Sequence, residues 1–145
     1  MVSVKIINQS KHENPSYATI GSAGMDLRAN LDSPVTLAPM EKAVIPTGLF
    51  VQLPLGYEGQ IRARSGLAIK KGITLLNGVG TLDSDYTGEI RVGLINLSQE
   101  PYTIEDGERI AQLIVAQYTH IIWQNVSHLD ETQRGEGGFG STGKN

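Results

Sequence analysis

Gln60-Ile61-Arg62-Ala63-Arg64-Ser65-Gly66-Leu67-Ala68-Ile69-Lys70-Lys71-Gly72 contains the two kinds of element on which this chain is built. Its first five residues alternate polar and apolar side chains, which sends one set to each face of a half-buried strand. The alternation then stops. Ser65 can cap a helix N-terminus and Gly72 can close the C-terminus, so residues 66–71 predict one short helix. No longer segment repeats apolar residues at helical spacing.

Outward from this stretch the pattern is short β-branched runs broken by Gly, Pro, Asn and Asp. Strands are predicted at 2–7, 35–37, 43–45, 49–53, 73–76, 89–97, 109–116 and 121–126, with Pro39 and Pro46 separating the early ones. Turn signals recur every 8–12 residues or so, as in a sandwich, jelly roll or barrel. Glycine accounts for 17 of 145 residues, well above the usual roughly 7 %. Interior helix positions tolerate glycine poorly, at about 1 kcal/mol each. The reading is therefore all-β, with one short helix, and neither an internal repeat nor an interdomain linker interrupts it.

Composition excludes several classes of function. Length suits one domain with a sizeable core. A net charge of −3 argues against non-specific nucleic-acid binding, which needs surplus cations to displace counterions. It leaves room for a nucleotide, since a few local cations and N–H groups can hold a triphosphate. The absence of cysteine removes disulfides, zinc–thiolate sites and a Cys nucleophile; a cytosolic setting is compatible. No run of 18 apolar residues and no leader-like N-terminal stretch is present, so neither a spanning helix nor a signal peptide is expected.

Four segments have the residue types for chemistry. Thr81 to Glu89 places Asp83, Asp85, Glu89 and Tyr86 between two apolar runs; this is either a solvated hairpin end or a site for metal or water activation. Arg64-Ser65-Gly66 lies at a strand-to-helix junction, where it is an ordinary cap or an anion site. Asp26, within Ala23-Gly24-Met25-Asp26-Leu27, sits in an apolar, glycine-flanked setting and needs a partner, either an Arg, an N–H or a hydrated cation. Gln112 lies inside a strand, where simple alternation would turn it to solvent. The tail from Glu131 has Phe139 as its one large apolar residue and cannot bury enough surface to offset its ordering entropy. It reads as a flexible terminus, or, through Arg134, its glycines, Ser141 and Thr142, as a phosphate cradle. His12, His120 and His128 show no ligand spacing and no paired carboxylate, and are read as surface residues. No Gly-x-Ser-x-Gly elbow supports a serine hydrolase.

Taken together these segments resemble the trimeric dUTP diphosphatase family. Five motifs appear in order: residues 23–27, 64–68, 80–89, 107–113 and 134–143. The resemblance implies a homotrimeric, jelly-roll-like β-barrel of the β-clip type, with residues 1–130 as the barrel and 131–145 as a glycine-rich arm closing over the active site. It implies hydrolysis of dUTP to dUMP and pyrophosphate by water attack at the α-phosphorus, limiting uracil incorporation into DNA and supplying dUMP for dTMP synthesis. Asp83 matches the carboxylate that orients the attacking water. Tyr86 matches the residue under the deoxyribose that excludes a 2′-hydroxyl, and Asn77 matches a uracil contact. Arg64, Ser65, Gly66 and Gln112 match phosphate-binding positions. Asp26 matches the acid near Mg²⁺, acting through metal-bound water. Phe139 matches the aromatic over uracil, with Arg134, Gly140, Ser141 and Thr142 in the arm's clamp on the phosphates.

The resemblance further implies that three chains build each site and that the enzyme is cytoplasmic, without nucleic-acid or membrane partners. Two departures, Ala63 where many members have Pro and Met25 where Tyr is frequent, fall on packing positions. A related dCTP deaminase would carry a catalytic Glu where this chain has Gly93. A non-catalytic nucleotide-binding barrel would bind dUTP without turnover, and fits poorly with Asp83 in place.

Overall fold

The computed structural model describes residues 1–138; Phe139, Gly140, Ser141 and Thr142 of the arm lie outside the described residues. The elements run β1 (Lys5–Asn8), β2 (Met25–Arg28), β3 (Val35–Leu37), β4 (Lys42–Gln52), β5 (Tyr57–Arg62), α1 (Ser65–Lys71), β6 (Ile73–Leu75), β7 (Val79–Leu82), β8 (Glu89–Asn96), β9 (Tyr102–Ile104) and β10 (Arg109–Gln117). They form sheets ordered β1-β4-β8-β6 and β2-β10-β5-β7, with the pair β3-β9 beside them. Every pairing is antiparallel. This is the expected jelly-roll-like all-β architecture with one short helix.

Period-two alternation builds the core. Ile90, Val92, Leu94 and Asn96 of β8 turn inward, opposite the buried Ile45 and Leu49 of β4. Leu27, Ile61, Leu82 and Leu113 line the inner face of the other sheet. Asn96 is fully buried and polar, which would cost several kcal/mol unpaired. Its amide instead donates to Leu37 O (2.9 Å) and Glu100 O (2.8 Å), while its oxygen accepts from Ser98 N (2.9 Å).

In β10 the alternation slips once. Ile110 and Ala111 are both buried, and the pairing with β2 shifts between Arg109 and Ala111. This is a β-bulge, one extra residue on one strand. Arg109 and Gln112 consequently share the outer face, which an unbroken two-residue period would forbid.

The structure corrects several expectations. Residues 43–45 and 49–52 belong to one strand, β4, which ends at Gln52. Pro46 and Gly48 (φ +69°) fall where its register with β8 shifts, so a bulge absorbs the missing proline N–H and the strand continues. Residues 121–126 form no strand: β10 ends at Gln117, and Ile121, Ile122, Trp123 and Val126 are exposed. β-branched sequence alone cannot make a strand without an edge to pair with. Ser65 is the first residue of α1 rather than its cap; Arg64 caps it in extended conformation, with no side-chain hydrogen bond. Gly72 does close the helix, at φ +69°, its N–H reaching Ala68 O.

Glu89 ties the hairpin end to the β4 bulge. Its carboxylate accepts from Gly48 N (2.9 Å) and Arg91 Nε (2.7 Å). Burial pushes its pKa up, but the Arg91 and Gly48 hydrogen bonds outweigh burial and hold it below the usual carboxylate range. A depressed carboxylate contributes stability above its unfolded pKa of about 4.3, and loses it as pH falls through the folded value. Glu89→Gln is expected to cost about 1.5–3 kcal/mol at pH 7. The difference from wild type should shrink progressively below about pH 4, as read from urea midpoints across a pH series.

Candidate functional site

One group of candidate side chains comes from one edge of the outer face. Gln112 of β10 lies opposite Asp26 of β2 and Arg62 of β5, so these residues share a row. Arg64, two residues beyond Arg62, falls on the same side. Its Nε donates to Asp26 Oδ1 at 2.7 Å and its NH1 to Arg109 O at 3.2 Å. Arg109 NH1 reaches the other Asp26 oxygen at 3.2 Å. Two guanidiniums against one carboxylate leave a surplus positive charge there. Directly behind, the first main-chain bond of α1 is Ala68 N to Arg64 O, so the N–H groups of Ser65, Gly66 and Leu67 have no partner within the helix. A Cβ at Gly66 would meet nothing within 4 Å. Open approach, exposed donors and surplus positive charge suit an anion.

Gln112 is not simply turned to solvent. Its Nε2 donates to Ala63 O at 2.9 Å. Its Oε1 lies 2.5 Å from where a Cβ of residue 24 would be, so any larger residue there would displace the Gln112 amide from its present seat. Gly24 of the first motif thus leaves room for the amide in this position.

The hairpin between β7 and β8 forms a second group. Tyr86 N donates to Asp83 O (3.1 Å), closing the turn, and Tyr86 Oη donates to Glu89 O (2.9 Å). The ring lies across Gly88, whose Cβ position would be 2.5 Å from Oη and 2.6 Å from Cζ. Asp83 and Tyr86 border one hollow of about 230 Å³ with Thr81 and Arg91. On its other side Asp83 borders a larger one, of about 450 Å³, with Glu58, Asp85 and His120. Asn77 sits in the turn before β7, closed by Gly78 (φ +70°), and its Nδ2 is 3.3 Å from the Cβ position of Gly80.

Within one chain these groups stay apart. Arg62 pairs with Val79 at one end of β7, whereas Asp83 follows its other end, about 13 Å away at strand rise. No hydrogen bond or ion pair among the described residues joins Asp26, Arg64 or Gln112 to Asn77, Asp83 or Tyr86. Arg134 is held by its own turn, donating to Gly137 O at 2.7 Å. Among the described residues no three His, Asp or Glu side chains gather as a metal cage.

Two features escaped the sequence reading. Arg109 lies three residues before Gln112, which strict alternation would place on opposite faces; only the bulge unites them. His12, read as a surface residue without a carboxylate, pairs with Asp106 at 3.1 Å. The two lie 94 residues apart in sequence, so no local spacing could have revealed the pair.

The family model for dUTPase matches residues 10–143. The chain belongs to the dUTPase family. A deoxyuridine 5′-triphosphate nucleotidohydrolase of Finegoldia magna is 57 % identical over 140 residues, covering 97 % of this chain and 98 % of that one. One from Fusobacterium nucleatum is 54 % identical and covers 99 % and 98 %. Among solved structures, the dUTPase of Staphylococcus bacteriophage 80alpha with dUpNHpp has a TM-score of 0.88 at 28 % identity, covering 99 % of each chain. A dUTPase from phage phi11 of S. aureus, at 22 % identity and a TM-score of 0.79, covers 90 % of this chain and 100 % of its own, and shows the same fold.

In the dUTPase hairpin, Gly88 is the position most sensitive to a single methyl. Gly88→Ala drives a Cβ into the Tyr86 ring, and overpacking of this kind costs about 1–3 kcal/mol. A lowered urea midpoint is expected; an unchanged one would mean that Tyr86 leaves its seat freely.

Proposed function

We propose that this dUTPase hydrolyses dUTP to dUMP and pyrophosphate, with water attacking the α-phosphorus. The observation that carries the reading is the pairing of two differently built ends: a rigid hairpin holding Asp83 and Tyr86, and a cationic strand–helix junction at Arg64-Ser65-Gly66. The first suits a nucleoside and an aligned water. The second suits a polyphosphate. Such a reaction limits uracil incorporation into DNA and supplies dUMP for dTMP synthesis.

Asp83 orients the water and accepts its proton; with the hairpin closed by the Tyr86–Asp83 bond, alignment contributes alongside basicity. Tyr86, fixed over Gly88 by Glu89, is a wall that leaves no room for a 2′-hydroxyl. Asn77 reads the uracil edge, where a donor–acceptor mismatch rejects cytosine. Arg64, Ser65, Gly66 and Gln112 hold phosphate oxygens. Phe139 covers the base, and Arg134, Gly140, Ser141 and Thr142 clamp the outer phosphates, excluding water as charge develops.

Because one chain separates its phosphate end from Asp83, a complete site takes residues from more than one copy. A homotrimer with shared sites supplies them, the third chain giving the arm that follows residue 130. The exposed apolar side chains of 121–126 support such an assembly, since they are unsatisfied within a single chain.

For Mg²⁺, both oxygens of Asp26 are engaged by guanidiniums, so the residues fit an ion held chiefly by the triphosphate and its waters, with Asp26 reaching it through water. When bound, the ion neutralises charge on the phosphate oxygens. The phage phi11 dUTPase is described with a structural Mg(II) ion. Among the described residues no helix is long and apolar enough to cross a membrane, and a cytoplasmic setting completes the proposal. Deamination of dCTP gains nothing from the geometry: Gly93, in mid-β8, offers no acid.

Pyrophosphate release with Mg²⁺ should be far faster from dUTP than from UTP, dCTP or dTTP. Turnover of UTP at the same rate would overturn the role of Tyr86. Asp83→Asn is expected to retain dUTP binding while kcat falls by about 10²–10⁴-fold; undiminished turnover would rule out water activation by this residue.

A further inference from the structure

His12 lies outside the five motifs, yet it packs against the turn that presents the fourth. Its Nε2 is 3.1 Å from Asp106 Oδ1, and its side chain is 19 % exposed. The same Asp106 oxygen accepts from Leu31 N at 2.8 Å. The imidazole also lies over Gly107 (φ +77°), its Cε1 3.1 Å from where a Cβ would be. The loop carrying His12 is braced from its own side: Asn8 Nδ2 donates to His12 O (2.8 Å), and Ser10 Oγ accepts from His12 N (3.1 Å).

On its far side the turn leads straight to the phosphate end. Gly107 N donates to Ala29 O, Ala29 N to Glu108 O, and Arg28 NH1 to Gly107 O. Glu108 accepts from the Tyr102 hydroxyl, whose pKa burial and then the Glu108 carboxylate push up to about 12. Arg109 follows at once. Its carbonyl accepts from Arg64 and its guanidinium holds Asp26, which holds Arg64 from the other side. Between the His12 loop and Asp26–Arg109 lies a polar cavity of about 210 Å³. No hydrogen bond among the described residues joins the loop to Asp26, Arg28 or Arg109; its influence passes through the turn.

We infer that His12 is a positioning residue, a latch on Asp106 that fixes the Glu105–Glu108 turn and, through Arg109 and Asp26, sets the Arg64 guanidinium for phosphate. The inference rests on the phosphate role proposed for Arg64. Other charged groups bear on the latch. Lys11 lies near Asp106 and pairs with Asp32 (3.0 Å). Glu13, Asp26, Arg28 and Arg109 border the cavity. The Leu31 N–H first, then His12, hold Asp106 below the usual carboxylate range. The acid is thus a ready acceptor for the imidazole N–H.

The test uses the full-length chain with Mg²⁺ and two probes: steady-state turnover of dUTP, and calorimetric binding of inorganic pyrophosphate, which requires no turnover. His12→Ala should raise KM for dUTP and weaken pyrophosphate about tenfold, the size of one hydrogen bond to a charged group, with kcat within about twofold. His12→Gln, which keeps an N–H donor near the Nε2 position, should recover most of the loss. Asp106→Asn serves as the second variant should His12→Ala fold poorly, with the same expected KM-against-kcat split. Unchanged KM and pyrophosphate affinity would overturn the latch. So would equal losses in kcat and affinity that Gln does not rescue, the mark of general destabilisation. Wild-type chain that binds pyrophosphate in a His12-dependent way but leaves dUTP intact would defeat the proposed reaction and spare the latch.

Discussion

At Ile110, β10 spends one residue more than its neighbour β2. Ile110 and Ala111 both turn to the core, and the outer face receives Arg109 and Gln112 together. Most of the phosphate end follows from that slip. Arg109 can reach one oxygen of Asp26 only because it shares a face with it, and Arg64 takes the other. Without the extra residue, the next inward-facing position would carry a guanidinium into a core of Leu, Ile and Val, where an unpaired charge is not tolerated. Burial of Ile110 and placement of Arg109 are thus one constraint seen from two sides of the sheet.

The hairpin solves a different problem. The nucleoside pocket proposed at the β7–β8 turn needs walls that do not yield, and main-chain closure and one glycine supply them. Tyr86 bonds Asp83 through its backbone and Glu89 through its hydroxyl, while Gly88 vacates the space the ring occupies. Glu89 then anchors this turn to β4 through Gly48. Selectivity in the proposed reaction therefore draws on the rigidity of a bulge on another strand.

Much of this was legible in sequence, for identifiable reasons. Alternation from residue 60 marks a strand because that segment has one buried face, although β5 ends at Arg62 and Arg64 already caps α1. Gly72 marked the helix end because only a left-handed residue fits there. Strands β2 and β7 are no shorter than β3 and β6, but Asp26, Arg28 and Gly80 interrupt their apolar runs, and β9 lies between Pro101 and the acids Glu105 and Asp106. Pro46 reads as a break because its remedy, a bulge around Gly48, is a pairing event with β8. The 121–126 run had strand composition and no edge to meet. The candidate residues Asp26, Arg64, Gln112, Asp83 and Tyr86 were found by motif, whereas Arg109 and His12 depend on register and on a contact between distant segments.

The separation of Arg64 from Asp83 within one barrel has a consequence for how the protein behaves in dilute solution. In the proposed trimer each chain holds a core of its own but only a share of the site. Folding and activity then answer to different variables, the first to sequence and temperature, the second also to the concentration of like chains. Below the concentration at which the proposed trimer holds, turnover would become a census of assembled threefolds.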